Sequence, residues 1–231
     1  MKPVLIVSCT QKSQQEDTQL WKSWMEFIDH QNYTIEFITD NTKGLSECYN
    51  KYITSKYAEL YDFVLFVHDD MFLDDCKVQN KLYKAHNELG YDIVGIAGGI
   101  NPEIKFPALW HLMCTKPHHR GQAAHPHGNN QIYTTVFGPT PSRVVIADGC
   151  LLGVYLPSAL KHKWKFNENY KFHHYDIASC IDAHLKGMKV GIYPIHTIHS
   201  SPGLSSLEDK NWNESNNTFL KEYSTINNTN K

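Results

Sequence analysis

The stretch FVLFVHDDMFLDD, residues 63–75, decides the fold. It begins as an apolar run of the kind that forms a strand buried on both faces. It ends in His68, Asp69 and Asp70, with Asp74 and Asp75 close behind. Two adjacent carboxylates are costly to bury unpaired. They are tolerated where a strand ends near solvent, and in open parallel sheets that end is where ligands bind. Such a pair suits a hard divalent cation, which takes oxygen ligands and draws the rest of its shell from phosphate and water. A solvated acidic turn is the plain alternative.

Working outward, VLIVSC (4–9) reads as a central strand and YTIEFI (33–38) as a half-buried one. Between them, QLWKSWMEFIDH (19–30) sets Leu20, Trp21, Trp24, Phe27 and Ile28 at helical spacing. GLSECYNKYITSKYAEL (44–60) predicts one helix with Leu45, Cys48, Tyr49, Tyr52 and Ile53 on a face. CKVQNKLYKAHNEL (76–89) predicts another, stopped by Gly90, and YDIVGIAGG (91–99) a fourth strand. Strands alternating with helices imply right-handed crossovers and a parallel sheet. Residues 100–143 are rich in Pro, Gly, His and Asn, show no period, and predict a long functional loop. VVIADGCLLGVYL (144–156) restores a strand signal, YDIASCIDAHLKG (175–187) is helical up to Gly187, and KVGIYPI (189–195) is a last strand. A domain over 1–205 is expected, with 206–231 a polar, Asn-rich tail that frays or docks loosely.

The 231 residues suffice for one large domain, and no linker divides them. A net charge of -2 with scattered Lys and Arg excludes general nucleic-acid binding. The six cysteines stand far apart with no C-x-x-C pair, several inside apolar runs, as reduced thiols do. The apolar run at 4–7 is too short for a signal peptide or a transmembrane segment, and nothing later is long enough. A soluble, cytoplasmic protein is expected, with peripheral membrane contact compatible.

Four segments in order carry a family resemblance: NTKGLSECYNKYI (41–53), YDFVLFVHDDMFL (61–73), DGCLLGVY (148–155) and KFNENYKFHHYDIASCIDAHLKGMKVGIYPIHTIHSSPG (165–203). Together they resemble the GT-A glycosyltransferases of the family-2-like group, closest to a small branch with an H-D-D variant of the D-x-D motif. The resemblance implies a single α/β, Rossmann-like GT-A domain, its central sheet mostly parallel and flanked by helices. It implies metal-dependent, inverting transfer of a hexosyl or related sugar, with Mn2+ or Mg2+ as cofactor and a UDP-sugar as default donor. The acceptor would be a glycan, a lipid-linked saccharide, a small molecule or a modified macromolecule.

On that resemblance, the nucleotide-sugar contacts fall on Ser8, Cys9 and Thr10 after the first strand and on Thr39, Asp40 and Asn41 after the second. Lys43 would neighbour a phosphate, Gly44 would open a helix whose amides suit an anion, and Asn50 would touch the donor or serve as a surface polar residue. Asp70 matches the metal-binding acid of the motif, Asp69 the ribose or sugar contact, and His68 replaces the first acid beside the ribose. His199 matches a late metal ligand, with His196 as its competitor. Asp148 and Gly149 would line the donor sugar. Asp176 matches the general base, kept ionised by a helix N-terminus, although Tyr175 stands where Glu is common and Ala178 where a second acid often stands. His173 and His174 are alternative bases on the acceptor side, where Trp110 would be a stacking platform or a core residue.

Three rival functions stay open. A sugar nucleotidyltransferase would need a glycine-rich grip on a triphosphate, and SCTQKSQQED (8–17) has no glycine. A zinc hydrolase would draw on His111, Cys114, His118, His119, His125 and His127, whose spacing fits no known finger. A catalytically inactive nucleotide-sugar or glycan-binding module is the third.

Overall fold

The computed structural model describes residues 1–129, 131–201 and 209–225. The strands are β1 Val4–Cys9, β2 Tyr33–Ile38, β3 Phe63–Val67, β4 Met71–Phe72, β5 Ile93–Gly95, β6 Ala97–Gly99, β7 His119–His127, β8 Gln131–Gly138, β9 Ser142–Val144, β10 Ile146–Ala147, β11 Leu151–Tyr155, β12 Val190–Ile192 and β13 Ile198–His199. The helices are α1 Gln19–Glu26, α2 Leu45–Asn50, α3 Ser55–Leu60, α4 Val78–Leu89, α5 Trp110–Met113, α6 Leu156–Lys161, α7 Tyr175–Leu185 and α8 Lys210–Tyr223.

The run that ends at His68 is the centre of the molecule. Every residue of β1 and β3 is buried. Side chains alternate across a strand, so Leu5, Val7, Val64 and Phe66 join one core while Val4, Ile6, Phe63, Leu65 and Val67 join the other. Helix α4 covers the second face through Val78, Leu82 and Ala85. Helices α2, α6, α7 and α8 cover the first. Thr18 caps α1 by accepting from the Trp21 amide at 3.0 Å. Gly90 ends α4 in the left-handed region, at φ 72°, as its sequence predicts.

The main sheet runs β2-β1-β3-β11-β5-β12-β9. It is an α/β sheet of the GT-A kind, mostly parallel as expected but not purely so: β2, β1, β3, β5 and β12 point one way, and β11 and β9 run against them. β1 pairs parallel with β2 and β3, and β12 with β5. β11 is antiparallel to both β3 and β5, and β9 to β12. The inserted antiparallel β11 matters for function, because it brings the residues just before Leu151 to the carboxyl end of β3 (Leu151 lies opposite Val67).

Four expectations change. The helix expected over 44–60 is two helices, since Tyr52 and Ile53 turn inward to be buried and Thr54 caps α3. The fourth strand divides at Ile96 into β5 and β6, which belong to different sheets. Residues 100–143 are no open loop. They hold α5, the antiparallel hairpin β7–β8, which extends a second sheet ordered β10-β6-β7-β13-β4, and β9. Period-based reading fails there because the buried positions of β7 are Gly121, Ala123 and Ala124, too small to mark an apolar alternation.

Nor does the described part of the tail fray. α8 buries Trp212, Asn216, Phe219 and Tyr223, a stripe at helical spacing, and the Asn216 side chain accepts from the Ala108 amide at 2.9 Å. The packed unit therefore continues past 205 to Tyr223, while 202–208 and 226–231 lie outside the described residues. Phe219→Ala should cost about 3–5 kcal/mol, as truncation of a buried aromatic does. Urea unfolding would measure it, and a loss below about 1 kcal/mol, the scale of surface changes, would mean that α8 is not part of the core.

Candidate active site

The turn after β3 is fixed on three sides. The His68 amide donates to the Cys150 carbonyl at 3.0 Å, beside β11. The Ser200 amide donates to the Asp70 carbonyl at 3.0 Å, just after β13. The Thr10 hydroxyl, past the end of β1, donates to the Asp69 carboxylate at 2.5 Å. The turn thus stands where β1, β3, β11 and β13 meet. A cleft of about 610 Å3 opens there, lined among others by His68, Asp70, Trp110, Asp148, Asp176 and His199. A second cleft of about 580 Å3 runs along α4 past Lys77, Lys81 and Tyr193 and contains none of these residues.

His68, Asp70 and His199 present ligand atoms that all lie within 4.8 Å of one another. Asp70 Oδ1 and His199 Nε2 are 3.3 Å apart, yet neither has a well-aligned hydrogen bond, although both atoms are buried. Buried polar atoms are almost always partnered. Two orphans that face each other, beside a third nitrogen, fit a shared cation. Burial pushes the Asp70 carboxyl up, but the His199 and His68 imidazoles outweigh it and hold the group below its usual range. Burial lowers His199, and Asp70 outweighs that and raises it. Burial lowers the His68 pKa and so disfavours its charged form. From sequence His68 is expected beside a ribose; it stands instead with Asp70 and His199. His196, the competing late histidine, is occupied elsewhere, its Nδ1 2.6 Å from Asp74 and its amide donating to Asp75.

The opposite wall is built around Gly149. A Cβ there would sit 2.5 Å from the Tyr175 hydroxyl and 2.7 Å from Asp176 Cβ, so only glycine lets α7 approach this closely. The Gly149 amide donates to Asp176 at 2.8 Å, and the Gly149 carbonyl accepts from the Tyr175 hydroxyl at 2.7 Å. Asp148 accepts from the Trp110 indole at 2.8 Å and from the Cys150 amide at 2.9 Å. Trp110 is buried and packs edge-on against Phe137. It orients Asp148 and is not an open stacking platform. Phe172 is the exposed aromatic at the cleft, its ring 6.1 Å from that of His68.

Asp176 lies in the first turn of α7, where the helix dipole favours a carboxylate. Its proton affinity is nevertheless raised, to a pKa of about 7, by burial first and by the nearby Asp148 charge second. Expected to be fully ionised, it is half protonated near neutrality. His174 precedes it with a left-handed backbone, φ 63°. Its ring packs beside Trp212 and Phe219 and contacts the Ser215 hydroxyl at 2.8 Å. Burial lowers its pKa to about 4, which makes it a weak base. His173 is half-buried at the cleft and is lowered by burial too.

The expected nucleotide-side residues form a separate group at the ends of β1 and β2. The Asn41 amide donates to the Thr10 carbonyl, and the Asp40 amide to that of Lys12. Thr39 and Asn41 are half-buried and Asp40 is exposed. Five members do not present themselves to a ligand. Ser8, Cys9 and Thr10 are buried, and the Thr10 hydroxyl is engaged with Asp69 and the Lys12 amide. The amide following Gly44 is already taken by the Lys171 carbonyl at 2.6 Å, so the start of α2 offers no open anion cradle there. Asn50 is buried and binds the backbone of Phe166 in both directions. Lys43 is exposed and paired with Glu47.

The histidine-rich segment does not converge on a metal. His119 contacts the carbonyls of His111 and Cys114, and His118 the Thr115 hydroxyl. Among the described residues, only the His68, Asp70 and His199 group has metal-holding geometry. His125 does reach the site, with Nδ1 3.2 Å from the His199 carbonyl. Sequence reading missed Phe172 and the site role of Tyr175, though Tyr175 was conspicuous as a tyrosine where an acid is common.

Residues 6–223 match the model of a glycosyltransferase-like family, and the chain belongs to that family. A search of curated proteins returns no match. Among solved structures, the crystal structure of A197 from STIV is similar, with a TM-score of 0.50 at 10% identity, over 90% of this chain and 99% of that one. That likeness concerns the fold. No helix among the described residues is long and apolar enough to cross a membrane.

Proposed function

We propose that the protein is a metal-dependent, inverting glycosyltransferase that moves a sugar from a nucleotide-diphosphate donor, a UDP-sugar by default, to an acceptor hydroxyl. One observation carries the reading: the orphaned Asp70–His199 pair and a carboxyl with a pKa of about 7, Asp176, line the same cleft. A general base works best when its pKa lies near the working pH.

Asp70 and His199 would hold Mn2+ or Mg2+, with His68 beside them. When bound, the ion supplies positive charge against the donor diphosphate as it departs. Asp69, Thr39, Asp40 and Asn41 would meet the nucleoside over the ends of β1 and β2, with buried Thr10 holding the Asp69 carboxylate in place. Asp148, held by the Trp110 indole, presents its carboxylate to sugar hydroxyls. Asp176 accepts the proton of the acceptor hydroxyl as that oxygen bonds to the anomeric carbon from the face opposite the diphosphate. The bond from that carbon to the diphosphate breaks, and the nucleoside diphosphate leaves with the electron pair.

A thermal-shift screen of UDP-, GDP-, dTDP- and CMP-sugars, with and without Mn2+, tests the reading. A ligand of the native state raises the melting temperature. One nucleotide class should stabilise the protein, and only when Mn2+ is present. Stabilisation by none of them, or by all equally without metal, would overturn the proposal.

A further inference from the structure

The hydrogen bonds around Tyr175 carry more than packing. The Tyr175 side chain is buried, and its hydroxyl has one proton. That proton goes to the Gly149 carbonyl, 2.7 Å away, because a carbonyl can only accept. The same hydroxyl lies 2.9 Å from His68 Nε2. It can meet that nitrogen only as an acceptor, so Nε2 must carry the imidazole proton. In the neutral ring the lone pair then falls on Nδ1.

We propose that Tyr175 is a positioning residue that locks this His68 tautomer and makes Nδ1 the third protein ligand of the metal held by Asp70 and His199. The inference rests on the metal site proposed above and deepens it. Metal-ligating histidines almost always donate their other ring N–H to a fixed acceptor, which sets the tautomer and the ring's aim. Here the acceptor is a phenol whose own orientation is fixed by the Gly149 carbonyl. The loop that carries Asp148 and the helix that carries Asp176 are thereby tied to the metal site through one side chain.

Selectivity follows from the same geometry. Two imidazole nitrogens and one carboxylate oxygen form a donor set suited to transition ions, whereas Mg2+ favours oxygen. The replacement of the first acid of the motif by His68 therefore changes which ion is preferred and does not simply weaken the site.

The test titrates the purified, metal-free chain with Co2+ alone and with Mg2+ alone by calorimetry. Wild type should bind Co2+ more tightly than Mg2+. Tyr175→Phe should weaken Co2+ binding by about 10–100-fold, the usual cost of losing an outer-shell partner. His68→Asp should move the preference toward Mg2+. Proton NMR of the Co2+ form adds a signature that a merely structural role would not move. Wild type should show a paramagnetically shifted, exchangeable ring N–H from His68, and Tyr175→Phe should lose it to solvent exchange. Unchanged or tighter Co2+ binding in Tyr175→Phe, or no His68 N–H signal in wild type, would overturn the tautomer lock. Asp70→Ala separates the two ideas. If it abolishes Co2+ binding while Tyr175→Phe has no effect, the metal site stands and the lock fails. If neither matters, the metal site itself fails.

Discussion

Asp176→Asn should lower sugar transfer by about 10²–10⁴-fold, the range expected for loss of a general base, and leave donor binding in place. The amide keeps the side chain's shape, and its oxygen can still accept from the Gly149 amide, which donates to Asp176 at 2.8 Å. What it cannot do is take a proton. In wild type, transfer should rise with pH and level off above about 7, where Asp176 has ionised. The variant's residual rate should lack that step. Stability should move the opposite way. The folded-state pKa of this carboxyl is raised above the roughly 4 expected in the unfolded chain. Its contribution to stability is thus fully present below about pH 4 and is lost as pH climbs through about 7. Asp176→Asn should therefore melt higher than wild type at pH 8, with the difference vanishing toward pH 4. A variant that transfers sugar at the wild-type rate, with His174→Ala inactive instead, would move the base to the histidine. The low pKa of His174, about 4, argues against that outcome.

The sequence disclosed what strong periodicity and local chemistry can disclose. Residues 63–75 announce a buried strand running into acids, and β3 and its turn are just that. Asp70 with His199, and Asp148 with Asp176, are pairs that only the fold brings near, yet motif order anticipates their placement at one cleft. What stayed hidden has physical causes. Strand β7 buries glycine and alanine, so its inward face carries no apolar signal. Helix α8 hides its stripe because Asn216, at the centre, is polar, and its side-chain oxygen is engaged by the backbone amide of Ala108, 108 positions away. Asn50 reads as a donor contact or a surface polar residue but is a buried clamp on Phe166, again through partners remote in sequence. The ionisation of Asp176 was misjudged because a helix N-terminus is visible in sequence, whereas the desolvation that outweighs it is a property of packing. Tyr175 looked like a departure from a motif, and its meaning needs both Gly149 and His68 in space.

Asp70→Ala should abolish metal-dependent donor binding and leave the fold intact. The carboxylate is partly exposed, and its backbone carbonyl, which accepts from the Ser200 amide, is untouched by the change. Nothing apolar is removed from either core. What disappears is the one anionic ligand of the group formed with His68 and His199. Affinity for Mn2+ should fall by more than the roughly 10–100-fold typical of losing an outer-shell partner, because here a ligand itself is lost. The neighbouring acid Asp74 provides the control. It is engaged with His196 at 2.6 Å and lies outside the cluster, so Asp74→Ala should bind Mn2+ and donor as wild type does. Calorimetry with Mn2+, then with the stabilising nucleotide sugar in the presence and absence of Mn2+, reads both effects. Circular dichroism confirms the fold. If Asp70→Ala bound the donor with unchanged metal dependence, the cation would have to sit elsewhere. The facing orphans Asp70 Oδ1 and His199 Nε2 would then be an ion pair in poor alignment and nothing more. If both variants lost metal, the acidic turn would act through its summed charge and not through coordination, and the loss should then fade as salt is raised, since screening weakens diffuse attraction far more than a bond between ligand and ion.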